Sequence, residues 1–197
     1  MPQLALRGQA CFRKSYVLSA SLYRNEMRRF MSDFGLLRIG HGHDIHALQA
    51  GYEMWLGGVL IEDAEQGFCT HSDGDVLSHA IVDALAGAMT DGDLGTHYPE
   101  NDPNAENARS LEFVAEFAGY MRSRGYELIN LDSFITLGTT RLRPYLAAIR
   151  ANVAAALKIS EDVVSVKGRS HDGIGEVGRG EACSATVSVL LRQEKSI

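Results

Sequence analysis

HSDGDVLSHAIVDALAG (71–87) is the stretch on which the reading of this 197-residue chain turns. Ser72 or Asp73 is placed to cap a helix running through about Ala88. Val76, Leu77, Ala80, Ile81, Ala84 and Leu85 fall on one side of that helix, so it must pack against an apolar layer. Outward from it the chain turns strand-like. Residues 36–40 are short and apolar. Residues 52–61 set Trp55, Leu56, Val59, Leu60 and Ile61 around Gly57-Gly58, which predicts two short strands or one bent strand. Downstream, residues 91–104 are rich in Gly, Asp and Pro and read as a long, function-bearing loop. Leu111, Val114, Ala115, Ala118 and Met121 recur at helical spacing until Gly125 stops them. Residues 128–137 are rich in strand formers. Pro144 opens a further helix that continues through Leu146, Ile149, Val153, Ala156 and Leu157. Residues 163–167 and 186–191 read as the last strands. This order predicts an α+β domain, a two-layer mixed β-sheet packed with helices.

The net charge is −6, yet residues 1–31 carry six basic residues (Arg7, Arg13, Lys14, Arg24, Arg28, Arg29) against one acid, Glu26. The rest of the chain is therefore more acidic than the whole. An acidic body is a poor partner for nucleic acid or anionic membranes, so neither is expected. No apolar run of about 18 residues suggests a membrane-spanning helix. Cys11, Cys69 and Cys183 share no CxxC spacing and fit a reducing compartment. Residues 1–37, with Ser15, Ser19, Ser21 and Ser32, form a basic extension before a domain at 38–192 and a tail at 193–197. Three readings suit that extension: a transit peptide, a disordered arm, or an upstream start with translation beginning at Met27 or Met31. The first implies a plastid; the others imply the cytoplasm.

Three segments carry chemistry. In Gly40-His41-Gly42-His43-Asp44-Ile45-His46, Asp44 and His46 are two apart, so an extended backbone projects both to one side, a plausible pair of zinc ligands. His43 breaks the alternation and points elsewhere. On the helix, Asp75, His79 and Asp83 are spaced by four and share a stripe. His79 is placed as a third ligand, with Asp75 or Asp83 available to orient its imidazole. Asp-His-His ligation leaves an open coordination position, which marks catalytic zinc. The third segment runs Val166-Lys167-Gly168-Arg169-Ser170-His171-Asp172, then on through Gly175 to Arg179. A strand end opening into a Gly-rich loop with Lys and Arg suits phosphate. Asp172 offers a hard oxygen to a second cation.

Taken together, RIGHGHDIHAL (38–48), HSDGDVLSHAIVDALAG (71–87), DGDLGTHYPENDP (91–103) and GRGEACSA (178–185) resemble the signature segments of the 2-C-methyl-D-erythritol 2,4-cyclodiphosphate synthase family, and the resemblance runs from about Arg38 to Arg192. It implies Zn²⁺ on Asp44, His46 and His79. It implies a second cation, Mg²⁺ or Mn²⁺, on Asp172, with Ser170 at the diphosphate. Asp44, His71, Ser170 and Asp172 become the catalytic set. Ser72, Asp93 with Leu94 and Gly95, Glu100, Arg141, Arg169 and Arg179 become the substrate contacts. The implied reaction closes a cyclic diphosphate from 4-diphosphocytidyl-2-C-methyl-D-erythritol 2-phosphate and expels CMP, in a homotrimer with active sites between subunits.

This chain departs from the family pattern on one side. Ser170-His171-Asp172-Gly173 stands where the family has Thr-x-Glu-Lys. Thr139-Thr140-Arg141 replaces a segment with a Pro-Lys pair. Glu100 stands for the more usual Asp, and Glu176 for an aromatic near the trimer axis. Arg143 and Arg169 are placed to restore the missing positive charge. The alternative the departures leave open is a zinc-binding paralogue, acting on another nucleotide diphosphate or non-catalytic.

Overall fold

The computed structural model describes residues 23–28, 36–70, 72–99 and 109–193. The chain divides into two units, Met1–Gly35 and Leu36–Ile197. Within the first, residues 23–28 are helical and exposed.

The second unit opens with β1 (Leu37–Ala50), far longer than the 36–40 segment expected. Glycine normally weakens a strand interior. Here Gly40 and Gly42 do not interrupt β1, because β7 (Ala182–Gln193) pairs with it antiparallel without a break from Leu37↔Arg192 to Ala47↔Ala182. β2 (Trp55–Leu56) and β3 (Val59–Leu60) form the expected pair of short strands. Gly57 and Gly58 between them both have positive φ, +55° and +69°, the conformation of a two-residue hairpin turn. β4 (Gln66–Phe68) has too few residues to show a period and was not foreseen. β5 (Tyr126–Leu137) and β6 (Val164–Arg169) complete the strands. Among the described residues the main sheet runs β4-β1-β7-β5-β6, with only β5 and β6 parallel. That is the mixed sheet expected.

The helices are α1 (Val76–Met89), α2 (Leu94–His97), α3 (Ser110–Ser123), α4 (Leu146–Leu157) and α5 (Gly175–Gly178). α1 packs on β1 and β7; α3 packs on α1; α4 packs on α3 and β6. The core between the layers includes Leu77, Ile81, Leu85, Phe117, Leu131, Ile135 and Ile149, each essentially inaccessible. Burying each such side chain contributes roughly 1.5–3 kcal/mol before conformational entropy is subtracted.

Two sequence expectations change here. The cap of α1 is Asp75, not Ser72 or Asp73: its carboxylate accepts from the Leu77 and Ser78 amides, the Ser78 hydroxyl and the Gly58 amide. Asp75 thus precedes the helix and is wholly buried, so it takes no part in the polar stripe with His79 and Asp83. The long loop at 91–104 is also not structureless, since Leu94–His97 closes a short helix with Asp93 as its cap. Four residues are too few to show a helical period there, and only the side-chain bond of the cap reveals the turn.

Candidate metal centre

Alternation along β1 sets the site. The even positions face α1. Gly40 and Gly42 allow close approach, because a Cβ on them would lie 1.8 Å from the Ala84 carbonyl oxygen and 2.0 Å from that of Ala80. The next two even positions, Asp44 and His46, then meet His79 from the facing helix. His79 Nδ1 and His46 Nε2 approach the same oxygen, Asp44 Oδ2, at 3.0 and 3.2 Å. One ligand atom from each of the three residues lies within 4.8 Å of the others, and no fourth acid, thiol or imidazole joins them among the described residues. His43 points away, hydrogen-bonded to Thr186 Oγ1 at 3.1 Å, as its odd position requires.

The surroundings prepare these donors. His46 Nδ1 donates to the Gly74 carbonyl at 3.0 Å, which leaves Nε2 with its lone pair toward Asp44. Gly74 itself has a φ of +67°, and a Cβ there would strike Phe68 at 2.4 Å, so glycine is required at the anchor. Burial pushes the Asp44 carboxyl up, but the His79 hydrogen bond and the charges of His46 and His79 outweigh it and hold the group below its ordinary range. Burial would lower the His79 imidazole, yet its hydrogen bond to Asp44, and then the charges of Asp44, Asp75 and Asp73, raise it. Two imidazoles and a carboxylate with one open side suit a divalent ion such as zinc in a site that also receives a ligand from solution.

The other predicted residues fall into separate groups. Asp93 uses Oδ1 on its own helix, accepting from the Thr96 amide and hydroxyl, and those bonds hold its carboxyl low. Leu94 donates its amide to Asp83 Oδ1 at 2.7 Å, so Asp83 pins the Asp93 loop to α1 rather than orienting His79. Gly95 is exposed beside it, and Ser72 gives its hydroxyl oxygen to the Gly74 amide. Ser170 and Asp172 hydrogen-bond each other in the loop after β6, with Asp172 at a φ of +49°.

Arg141, Arg143, Arg169 and Ser170 line one cavity of about 740 Å³ together with Gly138, Thr139 and Thr140. Lys167 also lines it, but its ammonium is taken by Asp132 at 2.5 Å, whereas among the described residues no carboxylate pairs with the three arginines. Arg179 lies outside that lining and holds Glu181 at 2.8 Å on the surface. His71 and Glu100 lie outside the described residues. Sequence reasoning missed Gly74 and Ser110, whose Oγ lies 2.9 Å from His79 Nε2. A glycine inside SDGD was visible as a possible anchor. Ser110, 31 positions from His79, gives no local signal.

Fold and cluster together define an α+β domain with an Asp-His-His cluster able to hold a metal ion at a strand–helix seam. A family model described as the YgbB family matches residues 37–192, and the chain belongs to that family. It is 43% identical over 155 residues to a 2-C-methyl-D-erythritol 2,4-cyclodiphosphate synthase of Moorella thermoacetica, covering 79% of this chain and 94% of that one. It is 47% identical over 156 residues to a bifunctional enzyme IspD/IspF of Albidiferax ferrireducens, of whose length it spans only 37%. Among solved structures it is similar to a CDP complex of IspF from Plasmodium falciparum, with a TM-score of 0.70 and 30% identity over 81% of this chain and 97% of that one. It is also similar to the bifunctional IspDF of Campylobacter jejuni, with a TM-score of 0.76 and 33% identity over 81% and 43% of the two chains. The family resemblance legible in the sequence is borne out.

Proposed function

We propose that the domain cyclises 4-diphosphocytidyl-2-C-methyl-D-erythritol 2-phosphate to 2-C-methyl-D-erythritol 2,4-cyclodiphosphate with release of CMP, a phosphorus–oxygen lyase step that makes an isoprenoid precursor. The observation that carries this reading is the convergence of Asp44, His46 and His79 on one open point, in a domain that aligns nearly end to end with relatives bearing that name. A divalent cation held by the trio, Zn²⁺ in this reading, supplies Lewis-acid neutralisation of phosphoryl charge. The chain's own residues do the rest. Arg141, Arg143 and Arg169 bring positive charge to a cavity large enough for a cytidine diphosphate group. Ser170 donates to a diphosphate oxygen, and Asp172 holds the second cation, Mg²⁺ or Mn²⁺. His71 and Ser72 border the phosphate; Asp93, Leu94, Gly95 and Glu100 border the erythritol. Arg179 serves phosphate by exchanging its exposed Glu181 partner, a pair of little intrinsic strength. Holding the two phosphates in line replaces a floppy search, worth up to about 7–11 kcal/mol of barrier in well-oriented systems. No protein nucleophile is needed.

The purified chain, given the cytidyl substrate with Zn²⁺ and Mg²⁺, is expected to yield one CMP per cyclic diphosphate by phosphorus NMR. Zinc binding without CMP release would end this reading.

The same proposal includes a homotrimer with intersubunit sites. The sheet face opposite α1 carries Ile39, 79% exposed, and Ile45, 41% exposed, beside His41 and His43. Exposed isoleucines on a sheet face are what an oligomer covers. Light scattering is expected to give three times the chain mass, and Ile39→Asp a lower one. A wild-type monomer would remove the trimer. Residues 1–37 belong to the proposal as an extension outside the catalytic domain, and the cytoplasm as its compartment. A plastid follows instead if an amino-terminal sequence of the mature protein begins after that extension.

A further inference from the structure

We infer that Asp73 and Ser110 are positioning residues that set the tautomer of His79 and thereby its strength as a metal ligand. This rests on the reading of Asp44, His46 and His79 as a metal centre. Asp73 Oδ1 lies 2.5 Å from Ser110 Oγ, and Asp73 Oδ2 accepts the Ser110 amide at 3.1 Å. An ionised carboxylate only accepts, so the Ser110 hydroxyl proton points to Asp73. The hydroxyl's remaining capacity toward His79 is then as an acceptor. It receives Nε2–H across 2.9 Å. A neutral imidazole has one N–H, so when a cation takes the place of the Nδ1 proton that His79 shares with Asp44 Oδ2, Nε2 keeps its hydrogen on Ser110 and Nδ1 is the nitrogen left to ligate.

The arrangement is built rather than incidental. Ser110 is fully buried at the start of α3, and His79 is 8% exposed, so solvent cannot replace either bond. Asp73 also accepts the Asp75 amide at 3.3 Å, which ties the relay to the loop that caps α1. Gly74, between those two acids, anchors His46 through its carbonyl. With a cation bound, the two imidazoles are thereby set in opposite tautomers, His46 protonated on Nδ1 and His79 on Nε2. Their free nitrogens meet at one carboxylate oxygen. Either imidazole in the other tautomer would aim an N–H at the cation position.

The test uses the full chain and zinc alone. Ser110→Ala removes the hydroxyl and leaves all three donors in place. Outer-shell partners of this kind typically govern 10–100-fold of metal affinity, so the zinc dissociation constant, by competition with a chromophoric chelator, is expected to rise about that much. Asp73→Asn must turn an N–H against either the Ser110 amide or the Asp75 amide, or against the present hydroxyl proton. It is expected to weaken zinc similarly. The double variant is expected to be no weaker than the worse single, because both break one chain. In the zinc-loaded wild type, nitrogen-edited NMR is expected to show a slowly exchanging His79 Nε2–H that vanishes in Ser110→Ala. Ser110→Ala that binds zinc within threefold of the wild type overturns the relay while leaving the metal centre standing. So do losses in the two singles that simply add. A wild type that binds no zinc removes both readings.

Discussion

His46→Ala is expected to leave a folded protein that no longer retains zinc through dialysis and no longer releases CMP. Besides the metal site, His46 makes an edge contact with the Phe68 ring, 5.8 Å between centroids, and little else among the described residues. Its ring is about one-fifth exposed, and its Nδ1 makes one bond, to the Gly74 carbonyl. Removing it therefore costs the fold little. For the metal it removes one of three ligands, when outer-shell partners alone are worth 10–100-fold; the loss in affinity should exceed about 100-fold, or about 2.7 kcal/mol. His43→Ala is the matched control. It lies three residues away on the opposite face, bonded to Thr186, and is expected to retain zinc like the wild type. Elemental analysis of dialysed protein and a CMP-release assay read both effects. Equal zinc content in the two variants would mean that the alternation of β1 does not define the site.

That alternation is also why so much was legible. Asp44 and His46 lie two apart on a strand, and His79 lies on a helix with an apolar face, so spacing alone could place three donors on two packed surfaces. What stayed hidden depends on contacts across long sequence separations. Asp75 caps α1 only because Gly58 and Ser78 also donate to it, and nothing in SDGD distinguishes which acid will hold the helix end. Asp83 shares a helical stripe with His79, yet the Leu94 amide turns it toward the Asp93 loop. Burial is the first influence on its carboxyl and raises it, and the Leu94 amide opposes that. Lys167 reads as a phosphate cation until Asp132, 35 residues away on the neighbouring strand, is seen to neutralise it. Charge in a strand-end loop is visible in sequence; whether it is already paired is not.

Alongside Gly40→Ala, Gly42→Ala is expected to be among the most damaging single methyl groups in the domain. Its Cβ would stand 2.0 Å from the Ala80 carbonyl oxygen and 2.8 Å from the Ala84 amide, both backbone atoms with no rotamer to change. α1 would have to retreat by about 1 Å to reach even the tightest tolerable contact, and helix α1 is packed on both β1 and β7. Overpacking against backbone belongs to the severe end of core substitutions, about 3–4 kcal/mol. The damage should not stop at stability. His79 immediately precedes Ala80, so a retreating helix carries the third ligand away from Asp44 Oδ2, and zinc affinity should fall with the denaturation midpoint. Gly87→Ala on the same helix isolates the cause. That glycine is exposed, and its Cβ would find nothing nearer than the His41 carbonyl oxygen at 3.9 Å. Relief of backbone entropy should then stabilise the helix by about 0.5–1 kcal/mol. Chemical denaturation at one protein concentration, with zinc titration of each variant, separates the two. If Gly42→Ala unfolds with the wild type and binds zinc as well, close approach of β1 to α1 is not what brings the three ligands together, and the glycines of GHGHD have some other use.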